Sequence, residues 1–190
     1  MATHSHGTAA RPVRRDVQRN LDALLTAAAE VFVSDGVDAP VRRITAKAGV
    51  GIGTLYRHFP ERSDLIVAVF RREVDACTAA APALAATCEP VEALVRWLER
   101  LAEFVATKRG LKAALHSGDP AYESLPAYFK EQFLPVIEEL TGAAVASGDI
   151  RLTITPYDLL RTMAGVVDPE DDAYTKRMIT LVVDGLRYRA

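Results

Sequence analysis

Residues Val41–Arg62 read VRRITAKAGVGIGTLYRHFPER. Val41, Ile44 and Ala48 recur at helical spacing, so a short helix over about 40–48 turns them inward, with Pro40 at its start where a missing N–H costs nothing. Gly49-Val50-Gly51 is long enough only for a tight turn. A second short helix over about 52–58 carries Leu55 and Phe59 inward, and Pro60 stops it. Two short helices joined by a three-residue glycine turn make a helix-turn-helix. Gly49 relieves the backbone at the turn, while Ile44, Val50 and Leu55 fix the angle between the helices.

The outward residues of this unit suit a polyanion. Thr54 and Tyr56 offer hydroxyls that donate to phosphate oxygens and set register. Arg57 can reach a guanine edge bidentately, and His58 a base or a phosphate. Gly51 and Gly53 leave the start of the second helix bare, so its N–H groups can approach a phosphate or the groove floor. Arg42 and Arg43 sit where backbone phosphates would pass, and Arg62 follows just beyond the helix.

Outward from this unit the chain reads as helix throughout. Residues 1–13 lack periodicity and are expected to be a mobile arm. A first helix, from about residue 14 or 16 to 34, presents Leu21, Leu24, Leu25, Ala28 and Phe32, and Gly36 ends it. A long fourth helix starts near residue 62 or 63 through Leu65, Val69 and Val74. Pro82 and Pro90 punctuate an alanine-rich tract. Residues 91 to about 108 are apolar on most faces, which marks a central helix. Further helices are expected at 110–115, at 122–146 with interruption or kinking at Pro126 and Pro135, at 155–167 and at 169–188. Only Ile150–Thr155 approaches period-two alternation, and it is too short for a sheet. The expected fold is all-α with about nine helices: an arm (1–13), a three-helix DNA-binding domain (14–61) and a larger C-terminal helical domain (62–190).

Composition agrees. Hydrophobic residues make up 49% and charged residues 25% of 190 residues, a globular balance. The net charge of −2 divides into +3 over residues 1–73 and −5 over the remainder, a basic front suited to nucleic acid. Cys77 and Cys88 without a secretory signal read as reduced thiols, and no segment is long and apolar enough to span a membrane. A cytoplasmic protein is expected.

AGVGIGTLYRHFPERSDL, residues 48–65, closely resembles the DNA-binding signature of the TetR family, in which a Gly-Val turn leads into a Thr-Leu-Tyr-x-His-Phe recognition helix. The stretches 125–140, 146–160 and 168–187 look, more weakly, like a C-terminal ligand-binding and dimerisation domain of that family. The resemblance implies that Arg42, Thr54, Tyr56, His58 and Arg62 contact the DNA backbone or bases, and that Gly53 and Arg57 meet base edges. It implies a homodimeric, ligand-responsive repressor on double-stranded palindromic operator DNA, with an unidentified small-molecule effector and no cofactor. An activator of the same family, or a helical protein without DNA binding, stands as the alternative. Two departures matter: Glu61 replaces a frequent Ser, Thr or Asn cap, and Ala39-Pro40 replaces a frequent Thr.

In the C-terminal part, Trp97, Leu101, Phe104, His116, Tyr128, Phe129 and Phe133 are the candidate effector-pocket residues. Leu160, Met163, Ala164, Val167, Met178, Ile179, Val182, Val183 and Leu186 are the candidate dimer interface, because the last helix is apolar on nearly opposite faces and a two-fold copy would cover the second. His116-Ser117-Gly118-Asp119 holds the residue types of a hydrolase triad, but a four-residue span cannot build one. No enzyme and no metal site is expected; His4 and His6 alone are weak ligands.

Overall fold

A computed structural model describes the backbone of residues 10–106, 118–168 and 170–187, with side chains from Asp16 onward. Nine α-helices and one 3-10 turn lie among the described residues: α1 (Ala10–Asp35), α2 (Val41–Ala48), α3 (Ile52–His58), α4 (Arg62–Ala79), α5 (Ala81–Thr87), α6 (Pro90–Ala106), the 3-10 turn (Pro120–Tyr122), α7 (Leu125–Ala146), α8 (Pro156–Val166) and α9 (Asp172–Leu186). No strand occurs among them; Ile150 and Arg187 form an isolated antiparallel bridge. The expected helix at 110–115 falls outside the described residues.

The differences from the sequence reading have local causes. α1 begins at Ala10, inside the segment expected to be an arm. α5 was not anticipated, because Pro82 looked like a break; it lies in the first turn, where a helix needs no N–H from it, and alanines propagate the rest. Pro126 likewise begins α7 instead of interrupting it, and α7 continues across Pro135. Thr155 and Asp158 cap α8 reciprocally, the Asp158 N–H reaching Thr155 Oγ1 at 3.1 Å. Asp171 accepts from the Tyr174 N–H at 2.7 Å and starts α9.

One contiguous apolar core runs from α1 to α9. α4 is its shared element. Leu65, Ile66, Val69, Phe70, Val74 and Cys77 are its buried residues, and the Phe70 ring meets Phe104 of α6 edge-on at 6.5 Å. Arg72 Nη1 donates to the Asp22 carbonyl at 2.9 Å and ties α4 to α1. Trp97 Nε1 donates to the Cys77 carbonyl at 3.1 Å and ties α6 to α4. Tyr128 Oη donates to Asp75 at 2.6 Å and ties α7 to α4, with Arg71 lying 5.1 Å above the same ring. Any rotation of α4 therefore moves both halves.

Candidate nucleic-acid interface

α2 and α3 are held apart by one backbone feature. Gly49 adopts φ 68°, ψ 26°, a left-handed conformation that closes α2 and reverses the chain. The Val50 N–H donates to the Thr45 carbonyl at 3.1 Å, and the Thr54 N–H to the Gly51 carbonyl at 2.9 Å. Ile44 (0% exposed), Leu55 (2%) and Phe59 are all buried in the one core, so the crossing of the two helices is set by packing.

At 100° per residue, Gly53 and Arg57 fall on the side of α3 opposite Leu55 and Phe59, while Ile52 and Tyr56 project along one edge of the buried side. Ile52, Gly53, Tyr56 and Arg57 are all exposed, Tyr56 at 49%. Thr54 and His58 are half-buried along the other edge, with the His58 ring 6.3 Å from Phe59. Gly51 is exposed at the end of the turn.

The basic residues divide into two groups. Arg43 pairs with Asp35, and Lys47 with Glu30 at 2.5 Å; both pairs pin α2 to α1. Arg42 of α2 and Arg57 of α3 are exposed cations. Arg62 differs from the sequence expectation. Its Nε donates to the Val37 carbonyl at 2.9 Å and its Nη2 to the Ala39 carbonyl at 2.6 Å, so the fork faces inward onto the α1–α2 loop instead of a phosphate. Glu61 does not leave α4 uncapped: Asp64, three residues on, accepts from the Glu61 N–H at 3.0 Å.

In the C-terminal half the candidate pocket residues are mutually packed. Phe104 meets Phe133, Phe129 and Phe70 edge-on at 5.3, 5.7 and 6.5 Å, and Trp97 meets Phe133 at 6.0 Å. Trp97 and Leu101 are buried with them, and Tyr128 and Phe129 are half-buried. His116 lies outside the described residues. Asp119 accepts from the Ala121 N–H at 2.9 Å, so it shapes a turn, as a loop reading of that segment requires.

The candidate dimer residues separate by burial. Met163, Ile179, Val183 and Leu186 are interior to the subunit, at 0–6% exposed, and are unavailable to a partner. Leu160, Val167 and Val182 lean on the core. Of that set Ala164 is exposed, and Met178 is half-buried. The exposed apolar residues of α9 are Tyr174 and Leu181, the latter at 63% exposed, with the candidate Met178 half-buried between them. Their spacing of 4 and 3 was legible; which of the two apolar faces pointed inward was not.

Two family models divide the chain. Residues 24–69 match bacterial regulatory proteins of the tetR family, and residues 89–188 match the C-terminal domain of SbtR-like transcriptional regulators. The chain belongs to the TetR family of transcriptional regulators. A solved TetR regulator from Streptomyces coelicolor is 37% identical, with a TM-score of 0.75 over 89% of this chain and 99% of that one. One from Mycobacterium vanbaalenii is 29% identical, with a TM-score of 0.73 over 93% and 100%. A gamma-butyrolactone receptor shares the fold at 22% identity and a TM-score of 0.65, over 90% of each chain. Curated helix-turn-helix regulators from Staphylococcus aureus are 38% identical over 64 residues, 33% of this chain, and the match spans 35% of their own length. No helix among the described residues is long and apolar enough to cross a membrane.

Proposed function

We propose that this TetR-family chain is a dimeric repressor that binds palindromic operator DNA and releases it when a small molecule enters the C-terminal domain. The carrying observation is that Tyr56 and Arg57 of α3 stand exposed, as does Arg42 of α2, and no packing role accounts for them. Tyr56 and Arg42 anchor phosphates, and Arg57 reads a base edge. Gly51, Gly53, Thr54 and His58 line the same approach. Two such helices in successive major grooves must stand about 34–36 Å apart, which a two-fold dimer provides.

The dimer surface in this reading is built from exposed Tyr174 and Leu181 and half-buried Met178 of α9, with exposed Ala164 of α8. The effector separates the aromatic rings of α6 and α7, where Trp97, Phe104 and Phe133 meet. Because Phe70 and Asp75 of α4 touch that cluster and its neighbour Tyr128, the displacement reaches the helix that carries α3. A ligand shifts the operator-bound population only by its difference in affinity for the two spacings. The gamma-butyrolactone receptor supports the ligand-responsive reading only as a case of the same fold in a receptor.

The test is a gel shift of the intergenic DNA upstream of the coding sequence across a salt series. The reading requires a slope of log Kobs against log salt of several units, about 0.9 for each phosphate neutralised. Binding with no salt dependence, or none at 50 mM salt, overturns it.

A further inference from the structure

Ile52 has no evident task in the folded chain. It is 44% exposed, and it is not among the side chains resting on the core. A β-branched residue also contributes little to a seven-residue helix. Gly51 and Gly53 flank it with the same puzzle. Gly51 has φ −72°, which any residue adopts, and a Cβ built on either glycine would meet nothing within 4 Å. Glycine in a helix costs stability, so neither the backbone conformation nor the packing of this chain calls for Gly53. The arrangement is one apolar knob between two bare positions. It lies beside Tyr56 one turn on, while Gly53 lies beside Arg57.

We propose that Ile52 determines operator specificity by seating against the C5-methyl group of a thymine, with Gly51 and Gly53 bare so that the groove floor can reach the backbone. The inference rests on the DNA-binding reading of α3. Its occupant follows from chemistry. The same helix exposes the Tyr56 hydroxyl one turn on and Arg57 beyond Gly53, which suit a polyanion. The isoleucine side chain can neither donate nor accept a hydrogen bond, so guanine, cytosine and adenine edges offer it nothing. The thymine methyl is the apolar feature that the major groove presents.

The test uses wild-type protein to select a duplex from a random 26-bp pool. Each thymine of the recovered duplex is then replaced singly by deoxyuridine, which removes only the methyl group. Fluorescence anisotropy measures Kd for the wild type and for Ile52→Ala. The expected result is one thymine per half-site whose replacement weakens wild-type binding about fourfold, the scale of one buried methylene-sized group. The same replacement leaves Ile52→Ala unchanged. Ile52→Ala should keep the wild-type thermal midpoint and salt slope, because the side chain supports neither the core nor a phosphate. Uridine replacements that are silent at every position, or equally costly in both proteins, overturn the inference while leaving DNA binding intact. Recovery of no duplex overturns the DNA-binding reading itself.

Discussion

The Arg62 guanidinium donates to the carbonyl of Ala39 at 2.6 Å, across 23 residues of sequence. With the parallel bond to Val37, this clasps the two ends of the helix-turn-helix together, since α2 begins at Val41 and α4 at Arg62. The recognition helix is carried on a loop of chain closed at its base. Arg62→Ala is therefore expected to lower stability by about 2 kcal/mol, the scale of hydrogen bonds from a charged donor. Arg62→Lys should recover only part of it, because an ammonium lacks the planar fork. Denaturant unfolding reads both. In DNA titrations the salt slope of either variant should match wild type, whereas Arg42→Ala should reduce it by about 0.9. A reduced slope for Arg62→Ala would place its charge on a phosphate after all.

Gly53→Ala should raise stability and weaken DNA binding in the same protein. The added Cβ meets no protein atom and improves helix propensity by about 0.5–1 kcal/mol. A rise of a few degrees in thermal midpoint together with at least a tenfold loss in operator affinity is expected. Unchanged affinity would mean that DNA does not approach this point of the helix.

Leu181→Glu should dissociate the dimer without unfolding the subunit, since the side chain is 63% exposed and its burial against a second copy is the proposed role. Ile179→Ala and Val183→Ala should instead destabilise the subunit by about 2–4 and 1–3 kcal/mol, as buried truncations do. Sedimentation and thermal unfolding separate the two classes. A Leu181→Glu protein that remains dimeric at micromolar concentration moves the interface elsewhere.

Stability should fall as the solution is made alkaline. Burial pushes the Cys77 thiol up to about 12 from its ordinary 9. Burial first, then the hydrogen bond to Asp75, pushes the Tyr128 phenol up to about 12 from 10. Both groups are neutral when protonated and hold their protons more tightly in the folded state. Their contribution is complete below the unfolded pKa and is lost as pH rises through the folded value. The decline should begin near pH 9 and steepen between 10 and 12, and Tyr128→Phe should flatten the upper part. In neutral solution, a maleimide followed by mass spectrometry should label half-buried Cys88 before buried Cys77.

The helix-turn-helix was legible in sequence because every cue for it is local. Gly49 supplies the left-handed turn, Ile44 and Leu55 lie within eleven residues of each other, and Pro60 terminates the helix they support. The bounds of α3 could be read to the residue for this reason. The bounds of α1, α5 and α7 could not, because proline in a first turn and proline between segments look alike in a single sequence.

The sequence by itself determined the all-α class, the helix-turn-helix at 41–58 and the family to which the chain belongs. Only the tertiary structure decided which way amphipathic and charged side chains are spent. It turned Arg62 from an outward cation into an inward clasp, and it assigned Ile179 and Val183 to the core while leaving Leu181 outside. Periodicity specifies that a helix has faces, but which face is buried depends on partners tens of residues away. Arg62 and Val37, and Tyr128 and Asp75, meet only once the chain has folded.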